Sequence, residues 1–174
     1  MNADAPVAFG WARAARAGLT FRPIADADQS FLARVYASTR KDELAATSMS
    51  GMQKAALLLL QFRAQHAHFQ KHYPQADRLV VMGGGNDIGR LYIARWPTRH
   101  GIIDITLLPE YRRHGAGEVL LRDLMDEAAA CGKSVSILVE KHNPAMRLCR
   151  RLGFVAEEDK GVHDLMRWTS QPSS

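Results

Sequence analysis

The sequence has little of what marks several specialised classes of protein. It holds two cysteines in 174 residues, and aromatic residues make up only 7% of it. Two cysteines form neither a disulfide framework nor a zinc-ligand pattern, which suits a reducing compartment. The longest apolar run, residues 55–60, is far below the ~18 residues of a membrane-spanning helix. We therefore expect a cytoplasmic protein with no membrane partner.

The surplus of positive charge is also small. Lysine and arginine number 23 against 18 aspartate and glutamate, a formal net charge of +5. This surplus permits an anionic ligand but is too small to indicate nucleic-acid binding. The length fits one domain, and such a chain can bury about 70% of its unfolded surface without disulfides or metals. We predict an N-terminal extension over residues 1–18, frayed or docked as a short arm, and a single domain over residues 19–170.

The first half of this domain is predicted to hold one strand and two helices. The strand covers residues 19–24, and the first helix ends near Ser38. The second helix opens with a capping box, in which Ser50 caps the helix and Gln53 bonds back to it, and it stops before Pro74. Its apolar stripe consists of Met52, Ala55, Ala56, Leu59, Phe62, Phe69 and Tyr73.

The second half is predicted to be mostly strands. Strands are expected at 78–82, 88–96, 102–108, 134–140, 154–157 and 162–168, with helices at 117–130 and 143–152. The strand at 134–140 is rich in β-branched and apolar residues, so we expect it to be buried on both faces. The sequence therefore predicts an α/β domain with a mixed sheet.

Two glycine-rich segments could contact a phosphate group. Residues 83–89 lie between two predicted strands, so they are most simply a hairpin turn. Residues 109–117 lie between a strand and an amphipathic helix, where backbone N–H groups converge on an anion. Gly115 and Gly117 would let the backbone approach a ligand closely, and Arg112, Arg113 and His114 add positive charge. The alternative is an ordinary helix-entry loop with a solvated basic run.

A second motif follows this loop. The loop has the pattern R-x-x-G-x-G, and 26 residues after Gly117 comes the segment NPAMRLCRRLGF, residues 143–154. In these two segments the sequence resembles the GNAT superfamily of acetyl-CoA-dependent N-acetyltransferases, and the resemblance extends over about residues 79–168. It implies a mixed, mostly antiparallel sheet of six to seven strands, helices on both faces, and central strands that splay apart.

The resemblance also implies where acetyl-CoA would bind. The pantetheine would pair with backbone groups of the strand before the loop, and the pyrophosphate would lie on the N–H groups at the helix start. A backbone N–H near Leu107 would stabilise the oxyanion. The implied cofactor-binding residues are Ile105, Thr106, Leu107, Arg112, Arg113, His114, Gly115, Ala116, Gly117, Glu118 and Asn143.

The implied reaction is direct attack of an amine on the thioester, which requires proton transfer. Asp104 is the best candidate base, because it is the one acid in an otherwise apolar or small strand; the alternative is an ion pair with a neighbouring arginine. Glu140 and His100 are weaker candidates. Where many family members have a tyrosine as general acid, this chain has Cys149. The departing thiolate could be protonated by Cys149, by Tyr111 or by water, or it could leave without a proton donor. Cys149 could also serve only to pack its helix.

These observations predict an enzyme that transfers acetyl from acetyl-CoA to a primary amine of a small molecule or peptide. We expect no nucleic-acid partner, and a homodimer is compatible with the sequence. The alternative is a non-catalytic acyl-CoA-binding sensor or protein-interaction module on the same fold, which the missing tyrosine favours. His66, His68 and His72 cluster on the second helix, and His68 and His72 are four residues apart. This pair lacks a third ligand or a carboxylate at suitable spacing, so no metal site is predicted.

Overall fold

The computed structural model describes residues 7–171 of the chain, which form one seven-stranded sheet with five α-helices. The elements in chain order are α1 (Ala12–Arg16), β1 (Leu19–Pro23), α2 (Gln29–Ala45), α3 (Gly51–His72), β2 (Asp77–Gly83), β3 (Asn86–Arg95), β4 (Arg99–Leu107), α4 (Ala116–Ala130), β5 (Ser134–Glu140), α5 (Ala145–Arg151), β6 (Val155–Asp159) and β7 (His163–Trp168). The predicted fold class is confirmed, and α1 is an addition to it. No helix in residues 7–171 is long and apolar enough to cross a membrane.

The sheet is mostly antiparallel and opens in its middle. The strand order is β1-β2-β3-β4-β5-β7-β6, and only β4 and β5 run parallel. Their pairing starts at Arg99 opposite Ser134 and ends at Ile102 opposite Ile137. Beyond this point β4 continues along β3 to Leu107, and β5 continues along β7 to Glu140. The predicted splay of the central strands is therefore present, and it leaves a gap between the far halves of β4 and β5.

The two faces of the sheet are covered differently. The main hydrophobic core includes buried side chains of α1, α4 and α5 packed with Leu91, Ile93, Val135 and Ile137 of the sheet. On the other face α2 packs mainly over β3 and β4, and a smaller cluster joins α2 to α3. The β5 side of that second face is left more open.

The described part of the N-terminal extension is a docked arm. Trp11 is buried in the main core, and its indole donates a hydrogen bond to Glu127 of α4. The buried carboxylate of Asp123 accepts hydrogen bonds from the backbone N–H groups of Arg13 and Ala14. Asp123 therefore satisfies N–H groups at the start of α1 that have no acceptor within the helix. Residues 1–6 lie outside the described part of the chain.

Three local predictions need correction. The first long helix does not end near Ser38, because residues 39–45 continue it to Ala45 with an Arg40–Glu43 ion pair at 3.0 Å. Within α3, all of which the structure describes, Phe62 is the one buried residue, so most of the apolar stripe is not in a core. Strand β5 is not buried on both faces throughout, because Leu138 is 49% exposed. The capping box of Ser50 and Gln53 is confirmed.

Candidate active site

One edge of β4 faces the gap. The backbone N–H of Leu108 donates to the carbonyl of Ile88 at 2.8 Å, and Thr106 lies opposite Arg90. Every second residue of an antiparallel strand directs its backbone N–H and carbonyl groups to the same neighbouring strand. Thr106, two residues before Leu108, therefore also directs its backbone groups to β3. Those of Ile105 and Leu107 then point to the other edge, where β5 has already diverged. The strand therefore presents the N–H groups of Ile105 and Leu107 and the carbonyl of Ile105 to the gap, while the carbonyl of Leu107 accepts a hydrogen bond from Arg112.

The loop after β4 leads to free N–H groups at the start of α4. Gly115 has a φ of 83° and precedes Ala116, the first residue of the helix. The carbonyl of Gly115 accepts from Val119, so the N–H groups of Ala116, Gly117 and Glu118 have no intrahelical acceptor. A Cβ added at Gly115 or Gly117 would meet no atom within 4 Å. This arrangement leaves open space in front of backbone donors and a positive helix end, which suits an anion.

The charged side chains of the loop have separate roles. Arg112 donates from Nε to the carbonyl of Leu107 at 2.8 Å and from Nη2 to the hydroxyl of Ser38 at 3.0 Å. Its guanidinium therefore braces the loop against β4 and α2. Arg113 and His114 are exposed and form no ion pair with any residue in 7–171. The permanent positive charge that is free to meet a ligand at this loop thus comes from Arg113, and the imidazole of His114 lies beside it as a hydrogen-bonding group.

Two other predicted cofactor contacts already have protein partners. Glu118 pairs with Arg122 at 3.0 Å and with Arg151 at 3.2 Å, and the hydrogen bond from Arg122 lowers the pKa of the Glu118 carboxyl. Asn143 accepts a hydrogen bond from the N–H of Ala145 on its side-chain oxygen at 2.9 Å, and so caps α5. Glu118 thus ties the start of α4 to the end of α5, and Asn143 orders the start of α5.

The gap opens on the face that α2 partly covers. On β4, Asp104 lies opposite Tyr92 of β3, and Thr106 lies opposite Arg90. Between them in the strand is Ile105, whose side chain packs against the main core. On β5, Leu138 and Glu140 alternate with the core residues Ile137 and Val139. Since neighbouring residues of a strand point to opposite faces, all four lie on the face away from α4. We refer to this side of the gap as the acceptor face.

Helix α2 bridges the acceptor face. Its Ser38 bonds to Arg112 beside β4, and its Arg40 lies 3.3 Å from Oε1 of Glu140 at the end of β5. The gap is therefore bordered by β4 on one side, by β5 on the other, and by α2 across it.

Asp104 sits in a largely buried polar network. Its Oδ2 accepts from Nη2 of Arg90 at 2.8 Å, and its Oδ1 accepts from the hydroxyl of Thr106 at 2.6 Å. Arg90 is 2% exposed and also donates to Gln65 of α3 at 2.8 Å. Its Nε has no hydrogen-bond partner among the described residues. The ion pair that was the alternative role for Asp104 is thus present, and it fixes the carboxylate on the acceptor face.

A second carboxylate lies across the gap. Glu140 is opposite His163 of β7, with 3.7 Å between its Oε1 and the Nε2 of His163. Both side chains are about one third exposed, so they are more accessible than Asp104. Neither His163 nor Arg90 stands out in the sequence. Only the cross-strand register brings each beside its carboxylate.

The other candidates for proton transfer lie away from the gap. Cys149 is fully buried in the main core, and this burial raises the pKa of its thiol to about 11. This environment favours a packing role. Tyr111 lines a groove of about 330 Å³ between the β2–β3 hairpin and the start of α4, with no residue of β5 in its lining. His100 is buried near the start of β4, the end remote from the loop, and burial lowers its pKa.

The comparisons with known proteins agree with this geometry. Residues 32–154 match the model of the acetyltransferase (GNAT) family. The chain belongs to this family. It is therefore an acyltransferase, and its acyl donor is acetyl-CoA. No curated protein matches the chain.

Solved structures share the fold at low sequence identity. The PaiA N-acetyltransferase of Thermoplasma acidophilum, in complex with coenzyme A, is 16% identical over 87% of this chain and 99% of that chain, with a TM-score of 0.65. Mycobacterium smegmatis RimJ, in complex with CoA-disulfide, is 17% identical over 87% and 82%, with a TM-score of 0.58. The ribosomal-protein-S18-alanine N-acetyltransferase of Escherichia coli is 18% identical over 86% and 90%, with a TM-score of 0.53. At these identities the likeness establishes the fold alone.

Proposed function

We propose that this acetyltransferase transfers the acetyl group to a primary amine of a small molecule or peptide, by direct attack of the amine on the thioester. One observation carries the proposal: an open strand edge at Ile105 and Leu107 leads into the free N–H groups at the start of α4. A strand-like pantetheine that ends in a pyrophosphate needs these groups in this order. The location that we propose is the cytoplasm, where the free thiols of Cys131 and Cys149 would stay reduced.

The donor site fits acetyl-CoA on the chemistry of its own residues. The gap-facing N–H of Leu107 and carbonyl of Ile105 would pair with the pantetheine amides, and the backbone of residues 113–118 would hold the pyrophosphate. Arg113 would add positive charge at the phosphates, and His114 could donate a hydrogen bond to them. The backbone of Thr106 is not available to the pantetheine, because it faces β3. Its hydroxyl instead donates a hydrogen bond to Asp104.

Acetyl-CoA supplies an acetyl group activated as a thioester. The chain has to hold the amine against it, stabilise negative charge on the carbonyl oxygen and accept a proton from the amine. The thioester lies at the end of the pantetheine away from the pyrophosphate, so the N–H of Ile105, two residues before Leu107 on β4, is the proposed donor to that oxygen. Asp104 is the proposed base, since it lies on the acceptor face beside the same stretch of β4. Glu140 on the opposite wall is the competing candidate. Burial of Cys149 leaves solvent to protonate the departing thiolate.

The function is tested by thermal unfolding followed by turnover. We expect acetyl-CoA at 100 times its Kd to stabilise the protein by about 2.7 kcal/mol, because it binds only the folded state. Release of CoA thiol should then depend on a primary amine, with a mass gain of one acetyl group on that amine. Stabilisation without turnover on any amine would favour the alternative of a non-catalytic sensor. Absence of stabilisation at millimolar acetyl-CoA would contradict both.

The base is tested with a pair of isosteric variants. We expect Asp104→Asn to lower kcat about 100-fold or more, the usual contribution of general-base catalysis, while the Kd for acetyl-CoA stays within about twofold. Glu140→Gln, on the opposite wall of the gap, is the matched comparison and should lower kcat less. If Glu140→Gln carries the larger loss, the base is Glu140 instead. Thermal unfolding of both variants checks that they are folded.

A further inference from the structure

An uncovered pair of leucines lies on the acceptor face. Leu138 is 49% exposed, although the four preceding residues of β5 are buried. Its cross-strand partner on β7 is Leu165, which is half-buried. The alternation of β5 directs Leu138 away from the main core, and paired residues of adjacent strands share a face. The two leucines therefore form a small apolar surface where α2 gives little cover.

This leucine pair lies where the sheet splits. Ile137 is the last residue of β5 paired with β4, and Leu138 is the next one along the strand. Glu140 is the last residue of β5, two residues after Leu138, and it lies opposite His163 of β7. At 3.2–3.4 Å per residue the two pairs are about 7 Å apart along the strands. An apolar surface and a polar pair thus follow one another beside the gap.

The charge at the polar pair suits an ammonium group. Arg40 lies 3.3 Å from Glu140 and 3.0 Å from Glu43, so one arginine meets two carboxylates. With His163 neutral, the cluster has a net charge of −1. Lys141, the next residue along, is held by Asp159 at 2.7 Å and lies 3.8 Å from Asp164. Asp164 is paired with Val139 on the main-core face, so Lys141 and its partners lie on the other side of the sheet, and the negative charge beside the pair comes from the cluster around Arg40.

We propose that Leu138 and Leu165 form the subsite for an apolar part of the acceptor, with its amino group in the gap between two walls: Glu140 and His163 on one wall, and Asp104, the proposed base, on the other. The preferred acceptor is then a primary amine that carries an alkyl or aryl group about 7 Å from its nitrogen. This is the separation of the leucine pair and the Glu140–His163 pair, which are two residues apart along their strands. This proposal rests on the proposed function, because it assigns the acceptor of the same reaction. The leucine pair is continuous with the gap, so a second copy of the chain docked on it would obstruct the acceptor side.

The test measures kcat/KM for straight-chain amines from butylamine to octylamine at saturating acetyl-CoA. A fully buried methylene changes an equilibrium about fourfold, and a half-covered one about twofold, so we expect a rise of two- to fourfold per added methylene. Heptylamine should exceed 6-aminohexan-1-ol, which has the same length and a polar end, by at least about tenfold. Leu138→Ser and Leu165→Ser should each remove most of this preference. Leu60→Ser, at a 67% exposed leucine of α3, is the matched control and should keep it.

Each outcome separates this inference from the function. If all amines react equally well, the acetyltransferase activity stands and the leucine subsite is wrong. A chain-length preference that survives both serine variants would also overturn it. If acetyl-CoA binds and no amine reacts, the proposed function itself fails. If size-exclusion chromatography shows a dimer that Leu138→Ser converts to a monomer, the leucine pair is a self-association surface and the subsite is overturned.

Discussion

Replacing Gly117 by leucine should abolish binding of acetyl-CoA while the protein stays folded. Gly117 is in the first turn of α4, and a Cβ there meets nothing within 4 Å. The side chain would project into the open space in front of the free N–H groups, where the pyrophosphate has to approach. We expect at least a 100-fold increase in Kd, equal to about 2.7 kcal/mol. Isothermal titration calorimetry measures the Kd, and thermal unfolding without ligand checks the fold.

Two glycine variants serve as controls for this result. Gly51 opens α3, and a Cβ there also meets nothing within 4 Å, so Gly51→Leu should leave the Kd for acetyl-CoA unchanged. Gly117→Ala should stabilise the ligand-free protein by up to about 1 kcal/mol, because alanine favours helix over glycine, and should weaken binding less than leucine does. Wild-type affinity in Gly117→Leu would exclude the loop as the phosphate site.

Replacing Arg90 by methionine should cost about 3–5 kcal/mol of the free energy of unfolding. The Arg90 side chain is 3% exposed and that of Asp104 is 12% exposed, so the change leaves a nearly buried carboxylate without its counter-ion. Gln65 of α3 loses its hydrogen-bond donor as well. Since domains are stable by about 5–15 kcal/mol, this is a large fraction of the total. Urea denaturation followed by circular dichroism measures it.

A second substitution shows whether the cost comes from the unpaired charge. Arg90→Met combined with Asp104→Leu removes both charges, so we expect it to recover most of the lost stability. Arg122→Met, which breaks an exposed pair with Glu118, should change stability by about 1 kcal/mol or less. A loss below 1 kcal/mol in Arg90→Met alone would mean that the buried pair does not hold this face together.

The Arg90 network also explains how α3 is attached. With Phe62 as its one buried residue, this helix has few apolar contacts for its length. The hydrogen bond from Arg90 to Gln65 and the ring contact of Phe69 with Tyr92, 5.6 Å between centroids, tie it to β3. The same arginine holds Asp104, so the acceptor face depends on this attachment.

Residues close in sequence carried the predictions that the structure supports. The Ser50–Gln53 capping box and the strand–loop–helix unit around Gly115 and Gly117 are formed by neighbours along the chain. Their geometry depends on local backbone bonds, which a sequence pattern reflects directly. The two GNAT motifs, the loop before α4 and residues 143–154, are likewise short continuous segments, which is why the family and the fold class followed from the sequence alone.

Contacts between distant residues were decided by the tertiary structure. The pairing of Arg90 with Asp104, the position of His163 beside Glu140 and the docking of Trp11 on α4 all depend on strand register or helix packing. The exposure of Leu138 depends on where α2 crosses the sheet, so its apolar strand pattern predicted burial instead. The sequence by itself thus determined the family and the strand–loop–helix unit before α4, because their signals are local. Only the fold decided which side chains meet on the acceptor face, because those contacts join elements far apart in the chain.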